Sequence, residues 1–217
     1  MSSSQPFDAN PTLLIFGAGG HGRVLVDAAL LTHQQRRIVV SDRKLPETQS
    51  ELLPGIVLLT ADAALALDPS VHIAIGNNQF RQREAAAWRH ERLVSVVHPA
   101  AVVSVFSSVG SGCFVAAGAV IGPSAQVGMG VIVNHGAVID HDVEVGAFSH
   151  IAPNASLGGH VKLGQRVLIG SGSVVLPSIQ IGDDVTIGAG SVVNVNLLTP
   201  GTYAGIPARK IYESKRA

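Results

Sequence analysis

The chain of 217 residues is poor in several things that most folds use. It has one cysteine, Cys113, so no disulfide can form within it, which suits a reducing compartment such as the cytoplasm. Aromatic residues make up only 4%, too few for an ordinary wide core and consistent with a narrow one. No apolar run approaches the length needed to span a membrane. The opening MSSSQPFDANP lacks the basic and apolar regions of a secretory signal and reads as a loose tail over 1–11. Charge is neither abundant nor biased: 15 basic residues stand against 15 acidic ones. That balance argues against binding nucleic acid or an anionic membrane surface in bulk.

What the chain does have is a period. From Val97 to Val193 every sixth residue, 17 in succession, is Val, Ile or Leu, with no slip. Four residues after each stands a small or β-branched residue in nearly every repeat, and Gly follows the aliphatic in nine of them, as at Gly110, Gly122 and Gly146. Period six matches neither an amphipathic helix nor an alternating strand. It matches short strands separated by regular corners, the pattern of a β-helix. Burial of each aliphatic stabilises by about 1.5–3 kcal/mol, so the row explains folding and by itself says nothing about chemistry.

Before the repeat, Thr12–Phe16 reads as a buried strand, GAGGHG as a glycine turn and Arg23–Leu31 as a helix. Gly17, Gly19 and Gly22 have the G-x-G-x-x-G spacing, which places free backbone N–H groups of a helix N-terminus at an anion. A second strand, Ile38–Val40, ends at Ser41-Asp42-Arg43, with Asp42 at the distance where an acid meets a ribose hydroxyl. Further strands are expected over Gly55–Leu59 and Val71–Ile75. The latter ends at Gly76-Asn77-Asn78, and a helix is expected over Gln79–Glu91. This alternation predicts an α/β N-terminal domain with a parallel sheet, half of a Rossmann-like fold, its ligand at the strand C-terminal ends. One nucleotide fits it better than two. The expected domains are 12–96 and 97–198, followed by a C-terminal segment over 199–217.

Of nine histidines, His141 is the leading candidate for chemistry. It falls at an outward corner between Asp140 and Asp142, and a carboxylate beside an imidazole orients it and raises its basicity. Neighbours on a strand point apart, so adjacency alone leaves that contact open.

Four stretches in order, GAGGHG, AIGNNQFR, IDHDVEVGAFSHIAP and AGIPARK, resemble the nucleotide-sugar N-acetyltransferases of the hexapeptide acyltransferase family. The resemblance covers nearly the whole chain and implies a left-handed parallel β-helix with three hexads per triangular coil. It implies acetyl-CoA as co-substrate, no metal, and transfer to the amine of a nucleotide-linked amino-deoxy sugar, with GDP-perosamine suggested by overall similarity. It also implies His141 as catalytic base with Asp142 as its partner, where the bacillosamine-type enzymes carry Glu. Sugar-nucleotide contacts are implied at Gly19, Gly20, His21, Ser41, Asp42 and Gly76, with Arg43 and Asn77 beside them. Acetyl-CoA contacts are implied at His150, Ser171 and Ala189. Gly159 is grouped with them as a candidate backbone N–H for the oxyanion.

Coil arithmetic adds a constraint. Ser171 and Ala189 are 18 residues apart, one coil, and share an edge with His135 and Pro153. His141 shares a different edge with Pro123, Gly159 and Pro177. One chain therefore cannot bring the base to the coenzyme edge, whereas a homotrimer with sites between subunits can. The alternatives are a sialic-acid-type O-acetyltransferase, an NAD-dependent oxidoreductase read from the glycine turn, a zinc enzyme of the β-helix type built on His135, His141 and His150, and a scaffold without enzymatic activity.

Overall fold

The computed structural model describes residues 12–32, 36–44 and 51–211. The tail expected over 1–11 and the last stretch, 212–217, lie outside the described residues. No helix among the described residues is long and apolar enough to cross a membrane.

The N-terminal part runs β1 (Thr12–Phe16), α1 (Gly20–Thr32), β2 (Arg37–Ser41), β3 (Glu51–Leu53), β4 (Ile56–Val57), α2 (Ala61–Leu65), β5 (Ser70–Ile73) and α3 (Asn78–Ala85). Its sheet is parallel and three-stranded, in the order β2-β1-β5. The strand expected over Gly55–Leu59 is instead half of a short antiparallel ribbon, β3 with β4. Gly55 at φ +80° turns that ribbon, and a Val40–Leu58 bridge ties its exit to the main sheet. The helix expected over Gln79–Glu91 stops at Ala85. Beyond it the amides of Ala87 and Trp88 bond three residues back, to the Glu84 and Ala85 carbonyls, and a 3₁₀ turn follows at His90–Arg92.

From Val96 the chain winds into a left-handed β-helix whose strands stack in three parallel sheets. From Val115 to Val193 every inward aliphatic is at most 5% exposed, while Val97, Val103 and Val109 at the open first coils are half-buried. Cys113 sits in the same core. One sheet carries the N-terminal domain: Phe114, Ala116 and Ile132 on its outer side pack with Leu13, Ile15 and Leu25. A second presents a row of outward valines, with Val102 63%, Val138 36% and Val174 39% exposed. The third carries polar side chains such as Gln126, Glu144 and Lys162. At every corner from Gly112 to Gly190 one residue adopts the left-handed region, whether Gly or not; Ser124, Asp142, His160 and Ser178 do so along one edge.

Candidate active site

Corner-to-corner hydrogen bonds confirm the edges given by the arithmetic. The amides of Asn154, Gly172 and Gly190 donate to the carbonyls of His135, Pro153 and Ser171, so these corners stack with Ala189 on one edge. Those of Asp142, His160 and Ser178 donate to Pro123, His141 and Gly159 on another. The valine sheet spans the two edges.

At the second edge the open question about His141 is answered. Asp142 turns the corner at φ 58°, a conformation Asp tolerates better than most residues. The turn brings neighbouring side chains together: His141 Nδ1–H donates to Asp142 Oδ2 at 2.8 Å. The His141 backbone N–H donates to Asp140 Oδ1 at 2.7 Å. The pKa of His141 is raised, first by the hydrogen bond to Asp142; desolvation opposes this, and the charges of Asp140 and Asp142 add to it. With Nδ1 donating, Nε2 is free to accept a proton. The ring rests on Gly159, where a Cβ would lie 2.6 Å from ring atoms Cε1 and Nε2. Gly159 thus belongs to the His141 edge, apart from Ser171 and Ala189, and any side chain there would displace the imidazole.

The glycine turn divides into two roles. A Cβ at Gly17 would meet the Ala74 carbonyl oxygen at 2.6 Å, and one at Gly22 would meet the Gly17 carbonyl oxygen at 2.1 Å. Those two glycines let strand and helix pack closely. Gly19 and Gly20 face open space, with nothing within 4 Å, at the N-terminus of α1. Asp42 lies against the turn and accepts from the Ala18 N–H at 2.8 Å and from the Lys44 N–H at 3.2 Å. Arg43 pairs with Glu84 at 2.9 Å. Ser41, carried over as a sugar-nucleotide contact, is fully buried and lines an internal cavity with Leu14, Phe16 and Trp88. Only its carbonyl reaches the turn, accepting from the Gly17 N–H at 2.8 Å.

A cleft of about 380 Å³ opens between the domains, lined by Gly76, Asn77, Asn78, His150, Arg166 and Asp184 among others. His150, carried over as an acetyl-CoA contact, also lines this cleft, beside residues carried over as sugar-nucleotide contacts. It sits within a strand, His150–Ile151, on the sheet under the N-terminal domain. Asn134 Nδ2 donates to His150 Nε2 at 3.2 Å. Burial, then the charge of Arg81, lowers His150 to about 3, and the same two causes lower His21 to about 4. Both rings are neutral at pH 7. His21 packs edge-on against Phe114, with ring centroids 5.5 Å apart.

Arg81 was not singled out by the sequence, yet it joins the domains. It is 1% exposed and donates to the carbonyls of Ile75 and Gly76 and to Asn78 Oδ1. Across the interface it donates to the carbonyls of Gly130, Phe148 and Ser149. None of these partners is a carboxylate, and burial lowers its pKa to about 9. Asn78 adds two bonds of its own, to the Arg166 and Val167 carbonyls, while Asn77 caps α3 through the Phe80 N–H. Arg81→Met should cost at least about 3 kcal/mol of stability, because several buried acceptors lose their donor at once. Denaturant unfolding measures this, and an unchanged midpoint would show that water replaces the guanidinium.

His135, His141 and His150 occupy an edge, another edge and a face, so they do not converge within one chain. The N-terminal sheet has three strands and no second mononucleotide half among the described residues.

Residues 12–87 match the PglD N-terminal domain family, and 160–194 match the bacterial transferase hexapeptide (six repeats) family. No curated protein sequence matches the chain. Among solved structures, the acetyltransferase domain of PglB from Neisseria gonorrhoeae superposes with a TM-score of 0.84 at 33% identity, covering 93% of this chain and 100% of that one. The GDP-perosamine N-acetyl transferase of Caulobacter crescentus, as a histidine-to-alanine variant in complex with CoA and GDP-perosamine, gives 0.85 at 31% identity, covering 93% and 97%. WeeI from Acinetobacter baumannii gives 0.65 at 18% identity, covering 92% and 99%, and shares the fold.

Proposed function

The chain belongs to the nucleotide-sugar N-acetyltransferases of the left-handed β-helix family, and on that premise we propose that it moves the acetyl group of acetyl-CoA to the amine of a nucleotide-linked amino-deoxy sugar, with GDP-perosamine the leading candidate. The Neisseria relative has been solved with acetyl coenzyme A and the Caulobacter relative with CoA and GDP-perosamine. The observation that carries the reading is the His141–Asp142 hydrogen bond at 2.8 Å on an open edge.

In this reading the neutral sugar amine attacks the thioester carbonyl directly. His141 Nε2 accepts the proton that the amine loses as the C–N bond forms. The tetrahedral intermediate then expels coenzyme A, and the imidazolium returns that proton to the leaving thiolate. Asp142 holds the ring with Nε2 outward and stabilises its positive charge. A backbone N–H near Gly159 offers a hydrogen bond to the oxyanion. Cys113, buried and with its thiol pushed up to about 11 by desolvation, has no part as a nucleophile.

The sugar nucleotide is assigned to the N-terminal domain, with Gly19, Gly20, His21 and Asp42 at the turn and Gly76 and Asn77 in the cleft. The coenzyme is assigned to the edge of Ser171 and Ala189, with His150 as a further contact. The assembly is a homotrimer. What supports it is the valine sheet, whose exposed apolar row runs between the His141 edge and the Ser171 edge. A second copy against that sheet covers the row and brings one chain's base toward another's coenzyme edge.

An assay of acetyl-CoA consumption over UDP-, GDP- and dTDP-linked amino sugars tests the reading, and no turnover on any of them would refute it. Gly20→Val should raise KM for the sugar nucleotide at least about tenfold, since the space around Gly20 is open to ligand and the chain itself accommodates the side chain. Acetyl-CoA affinity by calorimetry should stay unchanged; equal loss of both would mean a folding defect. Asp142→Asn should lower kcat several-fold, and by less than loss of His141, because the carboxylate whose hydrogen bond raises the His141 pKa becomes a neutral amide. Asn keeps the left-handed corner and an acceptor for Nδ1–H while removing the charge. Wild-type kcat in that variant would show that the two side chains do not communicate.

A further inference from the structure

The same edge carries a third group that the acetyl-transfer reading does not use. His160 lies one coil beyond Asp142, 18 residues on. Its Nε2 is 3.9 Å from Asp142 Oδ2, and its ring stands edge-on to His141 at 5.1 Å and 87°. One donor atom from each of His141, Asp142 and His160 falls within 4.8 Å of the other two. We propose that these three side chains form a binding site for Zn²⁺, and that the bound cation switches off proton transfer at His141; the second half of the proposal rests on the general-base reading above.

Three features distinguish this cluster from a chance meeting of surface groups. Its members sit on adjoining corners of rigid coils, where the His160 N–H donates to the His141 carbonyl at 3.1 Å. Asp142 and His160 share the same left-handed backbone, at φ 58° and 61°, so their Cα–Cβ bonds leave the edge in parallel. The spacing also suits the ion. Two donors about 2.0–2.1 Å from a tetrahedral zinc lie roughly 3.3 Å apart. The His141 Nδ1–Asp142 Oδ2 distance of 2.8 Å and the His160 Nε2–Asp142 Oδ2 distance of 3.9 Å fall on either side of that value. Small side-chain rotations close the difference, and all three side chains are open to solvent, 48%, 45% and 61% exposed. Two imidazoles and one carboxylate favour Zn²⁺ over Mg²⁺ or Ca²⁺, which prefer sets made of oxygen. Water completes the coordination.

The consequence for the base follows from imidazole chemistry. Zinc takes the lone pair of His141 Nδ1, so the ring's one proton must reside on Nε2. That nitrogen then donates a hydrogen bond and cannot accept a proton from the amine. Cation and amine need not compete for space; they require opposite tautomers of one ring.

The test uses the full-length protein in chelator-treated buffer. Zinc titrated by calorimetry should bind once per chain with a micromolar Kd, and the same concentrations should inhibit acetyl transfer. His160→Ala should keep wild-type turnover in the presence of chelator, bind zinc at least about tenfold more weakly, and resist zinc that halves wild-type activity. His141→Ala should also lose the binding heat. No zinc uptake by the wild type below roughly 1 mM, or a His160→Ala variant bound and inhibited like the wild type, would overturn the site. If His141→Ala keeps full turnover, the general-base reading fails, while the calorimetry still decides whether the site exists.

Discussion

His141→Ala should lower kcat by about 10²–10⁴-fold, the usual cost of losing a positioned general base, with the fold intact. The fold should survive because the ring lies outside the core. His141 is 48% exposed and rests on Gly159 rather than filling a space inside the coil, so truncation opens no cavity. The inward residues of the same corner, Ile139 and Val143, are fully buried and untouched. Circular dichroism and the thermal midpoint should match the wild type, and the affinity for acetyl-CoA should hold because Ser171 and Ala189 lie on another edge. Near-normal kcat in the purified variant would remove His141 from the role. A loss of only a few-fold would reduce it to orienting an amine that arrives already neutral.

Mixing two inactive variants should restore activity. His141→Ala lacks the base, and Ala189→Trp blocks the coenzyme edge at an exposed corner; neither homotrimer has a complete site if base and coenzyme edge come from different chains. In a threefold ring every mixed trimer contains one junction where an intact His141 meets an intact edge. Random assortment of equal amounts then yields roughly one quarter of the wild-type sites. The expected readout is acetyl transfer that appears only after the two proteins are unfolded and refolded together, or co-expressed. Hybrid trimers verified by mass spectrometry yet inactive would show that each chain holds its own site. A fully active monomer by light scattering would refute the arrangement outright.

The β-helix is legible in the amino-acid sequence because its constraint is local and repeated. Each hexad must place one aliphatic inward, and a single slip would expose every aliphatic beyond it. The row from Val97 to Val193 therefore reports the strands, the corners and, once the coil length is known, which residues share an edge. The glycine turn is legible for a similar reason, since close strand–helix packing at Gly17 and Gly22 admits no side chain. The irregular β3–β4 ribbon and the early end of α3 leave no such trace, because no repeat enforces them.

The sequence by itself determined the period, the edges and the separation of His141 from Ser171 and Ala189. It also held an unused signal, because the coil length that links Ser171 to Ala189 links Asp142 to His160. Only the tertiary structure decided that Asp142 touches His141, since that depends on a left-handed corner rather than on adjacency. It alone buried Arg81 among carbonyls of both domains, turned the Ser41 hydroxyl inward and set His150 in the lining of the interdomain cleft. The physical reason is common to all four: a periodic pattern specifies which way each residue points along its own coil, but contacts between domains or around a corner depend on how whole elements dock. Docking is set by the sum of many weak apolar contacts, such as Phe114 and Ile132 against Leu13 and Leu25, and no single position in the chain records it.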